Sequence, residues 1–198
     1  MMMAAIKENM NADSGRVCPV AYAGSLDNSF RRLDQNPLKI LAPFIREGMV
    51  ALDMGCGPGF FTLPMAQLVG RTGRVIAVDL QEGMLEKVRG KIAKSSFRDR
   101  ITLQKCEVDN MGITEPVDFV LLFYMVHEIP DKEGLFTEIA GMLKPAGKIL
   151  MVEPLLHVSK SAFQRTLDVA AKRGFTHSRG PRIFFSRTAV LGKGQPVS

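Results

Sequence analysis

Apolar positions along the chain fall into two alternating rhythms. Short β-branched or aliphatic runs occupy residues 49–53, 75–78, 101–105, 119–123 and 148–152, each the length of a buried strand. Between them lie stretches with apolar residues three and four apart, as helices require. These predict helices over residues 60–69, 81–93, 132–142 and from 159 to about 173. In residues 81–93 the face is explicit, with Met84, Leu85, Val88 and Ile92 on one side. Asn36-Pro37 adds an earlier helix start, Asn as the cap and Pro at the first helical position. Residues 175–193 hold two short strands broken at Gly180-Pro181. Strand and helix alternating in this way predict an α/β fold. The sheet is doubly wound and mostly parallel, with an antiparallel C-terminal strand and helices on both faces. Right-handed crossovers bring the strands' carboxyl ends to one rim, and ligands bind outside that rim where strand order reverses. The chemistry is therefore expected at Asp53, Asp79, residues 105–109, residues 123–128 and Glu153.

Composition narrows this picture. With 198 residues, 46% hydrophobic and 23% charged, the chain can bury one domain's core. The longest apolar run, residues 119–126, is far shorter than the ~18 residues of a spanning helix. Residues 1–10 carry Lys7 and Glu8 and lack the pattern of a secretory signal. Cys18, Cys56 and Cys106 are widely spaced, which argues against a disulfide framework or a metal module and for a reducing, cytoplasmic setting. Residues 1–35 lack a sustained period and are expected to form an arm, residues 36–193 the domain, and residues 194–198 a tail.

The segment Asp53-Met54-Gly55-Cys56-Gly57-Pro58-Gly59-Phe60 is the richest in chemistry. Alternating glycines allow a sharp strand-to-helix turn and bring bare backbone against a ligand. The dinucleotide fingerprint fails, because its sixth position is Phe60 rather than glycine. Asp53, directly before the loop, would repel a diphosphate and attract a cation such as an amino-acid ammonium. Asp79 ends the second strand about twenty residues on, where a carboxylate can accept both hydroxyls of a ribose. A ligand with a ribose, an ammonium and no phosphate is implied. S-adenosylmethionine meets all three conditions.

These residues resemble the D-x-G-x-G-x-G motif of class I S-adenosylmethionine-dependent methyltransferases, with Asp79 at the position of that family's ribose-binding acid. Glu107-Val108 resembles the pair that holds the adenine, although Asp is more usual there. Residues 119–131 resemble the fourth-strand segment of small-molecule members, and Leu143-Lys144-Pro145-Ala146-Gly147 the loop entering strand five. The likeness covers residues 36–193 and is strongest to the quinone-biosynthesis-like, type 11 branch. It implies methyl transfer by in-line displacement to a small-molecule acceptor through O, N, S or C. It also implies a cofactor set of Asp53, Gly55, Cys56, Gly57, Gly59, Asp79, Leu80, Met84, Glu107, Val108, Phe123 and Tyr124. No metal is called for. In this family the N-terminal arm, here with Cys18-Pro19 and Arg31-Arg32, commonly folds over the cofactor, which makes Tyr22 a candidate contact.

Acid–base candidates are His127 and Glu128 after strand four and Glu153, with His157 nearby, after strand five. His127 could instead pack at a helix entrance, and Glu153 could pair with an Arg. The formal charge of +6 raises the possibility of nucleic acid as a partner. Its distribution argues otherwise, because residues 101–150 carry four Lys/Arg against eight Asp/Glu and residues 151–198 carry eight against two. The base-amino motif after strand four is also missing. A small acceptor, anionic if it uses the basic section, is preferred. An RNA methyltransferase working through that section, or a cofactor-binding protein without transfer, are the alternatives.

Overall fold

The computed structural model describes residues 35–108 and 110–194. The candidate arm contact at Tyr22, Arg31-Arg32 and residues 195–198 of the tail lie outside the described residues, as does Asp109. Asn36 accepts the Lys39 backbone N–H at 3.2 Å and caps α1 (Pro37–Leu41). Then follow β1 (Val50–Met54), α2 (Thr62–Leu68), β2 (Arg74–Asp79), α3 (Glu82–Ile92), β3 (Ile101–Lys105) and β4 (Val117–Phe123). The second half comprises α4 (Lys132–Met142), β5 (Leu143–Pro154), α5 (Lys160–Lys172), β6 (Phe175–Arg179) and β7 (Ser186–Lys193).

The strands form one sheet of seven in the order β3-β2-β1-β4-β5-β7-β6. The first five run parallel, and β7 inserts antiparallel between β5 and β6. This is the expected doubly wound architecture. Period-two alternation splits each strand between two cores. Ala51, Val75, Phe119, Leu121 and Leu150 pack with residues of α1 and α2. Leu52, Ile76, Val120, Leu122 and Ile149 face α4 and α5 through Phe136, Ile139 and Leu167. Leu85, Val88 and Ile92, three of the four apolar positions predicted for α3, bury against Ala77 in a third cluster, and Met84 is buried as well.

Strand five is longer than its apolar run. β5 begins at Leu143 because the chain stays extended straight out of α4, with Leu143 opposite Val117. The register then slips, so that Phe119 faces Lys148 and the polar residues between lie in the irregularity. Asp118 holds this corner by accepting both the Val50 N–H and Lys144 Nζ at 2.8 Å. Strand order reverses between β1 and β4, so their carboxyl ends open a crevice.

Candidate active site

β1 delivers Asp53 and then Gly55, Gly57 and Gly59, all at positive φ. The turn is pinned by the Cys56 N–H on Val78 O (2.9 Å) and the Gly59 N–H on Cys56 O (3.0 Å). A Cβ built on Gly57 would meet no atom within 4 Å, so the loop presents bare backbone to open space. Gly59 has a different task. A Cβ there would lie 3.1 Å from Val88 of α3, and Gly59 does not line the cavity. It lets the loop pack closely on α3 and does not face a ligand.

A cavity of about 520 Å³ opens outside the carboxyl ends of β1, β2 and β4. Asp53, Gly55, Cys56, Gly57, Asp79, Leu80, Met84, Glu107, Val108, Phe123 and Tyr124 all line it. Cys56 is a buried free thiol whose pKa is pushed well up by burial, which suits a space-filling group and not a nucleophile. Asp53 is 3% exposed and accepts the Thr62 hydroxyl at 2.6 Å. Burial pushes its pKa up to about 7, against the opposing pull of that hydrogen bond. Asp79 receives the Gly57 N–H on Oδ2 (2.8 Å) and the Gln81 N–H on Oδ1 (2.9 Å), and burial raises its pKa too. With the Leu80 backbone as a further donor, the carboxylate still has acceptor capacity left for an incoming hydroxyl.

The opposite wall is built by the turn after β4. Tyr124 is held at φ 59°, an uncommon conformation for a bulky residue. Its hydroxyl accepts from Gln35 Nε2 (2.7 Å) and donates to Ser186 Oγ (2.6 Å), whose own proton goes to Phe184 O (2.9 Å). That chain fixes the Tyr124 ring as a wall. Phe123 packs on it at 4.5 Å between centroids.

His127 sits in the short turn Val126–Glu128 and lines the cavity with Glu128 and His157. Glu153, 2% exposed, lies behind it and does not itself line the cavity. One Glu153 oxygen accepts the Val126 N–H at 2.9 Å and the other meets His127 Nδ1 at 2.5 Å. A carboxylate only accepts, so Nδ1 carries the hydrogen and Nε2 remains for chemistry. That hydrogen bond is the main cause that raises the His127 pKa above its ordinary 6.5. Glu153 is thus partnered by a histidine and not by an arginine. Its cross-strand neighbour Arg187 donates Nε–H to Val158 O at 2.8 Å.

Met125, within the expected 123–128 stretch, lines the cavity, as do Met111, Leu135 and Glu138, which the sequence pattern did not point to. Met111 is oriented through its N–H on Glu138 (2.9 Å). Leu135 and Glu138 lie on α4 one turn apart, and that helical spacing is the signal that could have placed both beside the rim. Among the described residues no cluster of His, Cys, Asp and Glu could hold a metal ion, and no helix is long and apolar enough to cross a membrane.

The sequence matches a family model described as a methyltransferase domain over residues 45–175. The chain belongs to the class I S-adenosylmethionine-dependent methyltransferases. This methyltransferase is 31% identical over 110 residues to a demethylmenaquinone methyltransferase of Lactobacillus johnsonii, covering 55% of this chain and 45% of the relative. With the protein of the same description from Symbiobacterium thermophilum it shares 35% over 109 residues, 54% and 43% of the two chains. It thus spans about half the length of the curated relatives it matches. A SAM-dependent methyltransferase structure from Aquifex aeolicus superposes with TM-score 0.79 at 23% identity, covering 88% of this chain and 98% of the other. That likeness extends the agreement in fold. The residues present fit the cofactor. Gly57 leaves open room, Asp79 keeps acceptor capacity for a ribose, and Asp53 is a buried carboxylate with no cation paired to it among the described residues.

Proposed function

We propose that this methyltransferase methylates a small aromatic acceptor that carries an ionisable hydroxyl, of the quinol type. The observation that carries this reading is one cavity lined by both the Asp53–Asp79 loop and His127, the latter backed by buried Glu153. The relatives named demethylmenaquinone methyltransferase support the aromatic class. Apolar walls at Phe123, Met111 and Met125 suit a flat, greasy ring.

S-adenosylmethionine, when bound, supplies an activated methyl group on a sulfonium. Asp53 and the glycine loop would hold its amino-acid end, Asp79 its ribose, and Glu107 with Val108 its adenine. Phe123 and Tyr124 exclude water from the reacting centre and limit the approach of the acceptor. His127 Nε2 takes the acceptor's hydroxyl proton, and Glu153 keeps Nδ1–H oriented and stabilises the resulting imidazolium. Ionising the hydroxyl activates either the oxygen itself or the ring carbon beside it. Glu128, 4.0 Å from His127 Nε2, adds negative charge that favours the imidazolium.

The test is transfer of labelled methyl to a panel of hydroquinones, phenols and amines, with kcat/KM followed against pH. A raised pKa keeps His127 protonated to higher pH, so activity should rise with pH through a value above 6.5. His127→Ala should cost about 100-fold or more in kcat. Glu153→Gln removes the main cause of the shift and should move the profile to lower pH. Transfer to amines alone, or an unaltered profile in Glu153→Gln, would contradict this assignment.

A further inference from the structure

Among the described residues, the exposed large hydrophobic side chains are Val108, Leu155, Leu156, Phe184 and Phe185. All of them lie at the rim that carries the cavity mouth. Val108 follows β3 and itself lines the cavity, Leu155 and Leu156 leave β5, and Phe184 and Phe185 precede β7. Because β7 runs antiparallel to β5, with Pro154 opposite Ser186, the last two pairs meet. The Leu155 N–H donates to Phe185 O at 3.0 Å, and the two phenyl rings stand edge to face at 4.5 Å. Leu156 is 85% exposed and Phe184 59%. Phe185 is held at φ 49°, which an aromatic residue adopts only where its surroundings impose it. Pro154 and His157, on either side of Leu155-Leu156, line the cavity.

Exposed basic residues accompany this patch. Lys160 begins α5 just beyond the leucines, Arg182 precedes the phenylalanines, and Arg179 ends β6 at the same rim. The acidic residue nearest this patch in the chain, Glu153, is buried. Protruding aromatic and aliphatic side chains set among cations are the composition of an interfacial surface. Their charge complements anionic headgroups.

We infer that this rim docks on an anionic lipid bilayer, with Leu156, Phe184 and Phe185 inserted among the acyl chains and Lys160, Arg179 and Arg182 on the headgroups. The cavity mouth then faces the membrane surface, and an apolar acceptor reaches His127 without crossing water. Docking does not depend on methyl transfer, so the two readings fail separately.

Flotation of the full chain with phosphatidylcholine–phosphatidylglycerol vesicles, against pure phosphatidylcholine, tests this. The protein should float with the mixed vesicles, and rising salt should release part of it. The pair Leu156→Ser and Phe184→Ser should cut partitioning about tenfold or more. Arg182→Glu with Lys160→Glu should weaken binding to the mixed vesicles only. All four side chains are exposed, and S-adenosylhomocysteine affinity measured without vesicles should stay at the wild-type value, which certifies folding. Failure of the wild type to float, or equal flotation of the serine variant, would overturn the inference. So would a dimer that the serine variant dissociates, because a second copy would then own the patch.

Discussion

At the scale of single residues, the site is governed by two carboxylates that are buried for different ends. Asp53 has the Thr62 hydroxyl as partner, and burial holds its pKa at about 7. An ammonium arriving beside it favours the ionised form, so binding must expel the proton that Asp53 holds at lower pH. Its folded-state pKa lies above the ordinary carboxylate value, so the proton is present below about pH 7 and gone above it. S-adenosylhomocysteine should therefore bind about tenfold more weakly at pH ~6 than at pH ~8. Calorimetry in buffers of different ionisation enthalpy should show proton release at the lower pH. Asp53→Asn should bind weakly at both and show no release; a wild-type affinity flat in pH would contradict the pairing. Glu153, by contrast, already has its partners, the Val126 N–H and His127 Nδ1, and acts through the imidazole.

At the scale of elements, the glycine loop divides its labour. Gly57 opens toward the cavity, whereas Gly59 allows α3 to approach. Gly59→Ala places a Cβ 3.1 Å from Val88 at φ 83° and should cost about 1–3 kcal/mol of stability in chemical denaturation. Ligand affinity should change little, because Gly59 is not part of the cavity wall. A variant as stable as wild type would refute the packing role. The strands and helices were legible because buried parallel strands leave continuous apolar runs and amphipathic helices leave a stripe. The loop was legible because its chemistry is contiguous from Asp53 to Gly59. The His127–Glu153 pair was not, since its members are 26 residues apart and meet only through the β4–β5 register. The true start of β5 was hidden for a similar reason. Lys144 and Pro145 look like a loop, and they count within the strand only because Leu143 pairs with Val117 and Lys148 with Phe119 on either side of a register shift.

At the scale of the whole molecule, one sheet places every reactive group on a single rim. Asp79 comes from β2, the glycine loop from β1, the aromatic wall and His127 from beyond β4, and Glu153 from β5. The same rim gathers the exposed hydrophobic residues, with Lys160, Arg179 and Arg182 of the basic C-terminal section. The central claim is that the Asp53–Asp79 end of the cavity holds the methyl donor. Calorimetric titration of S-adenosylhomocysteine into the wild type and Asp79→Ala tests it most directly. Two charge-assisted hydrogen bonds of about 1.5–3 kcal/mol each are at stake, so the variant should bind at least about 100-fold more weakly than a one-to-one wild-type complex. Equal affinity in the variant, or no binding by folded wild type, would contradict it.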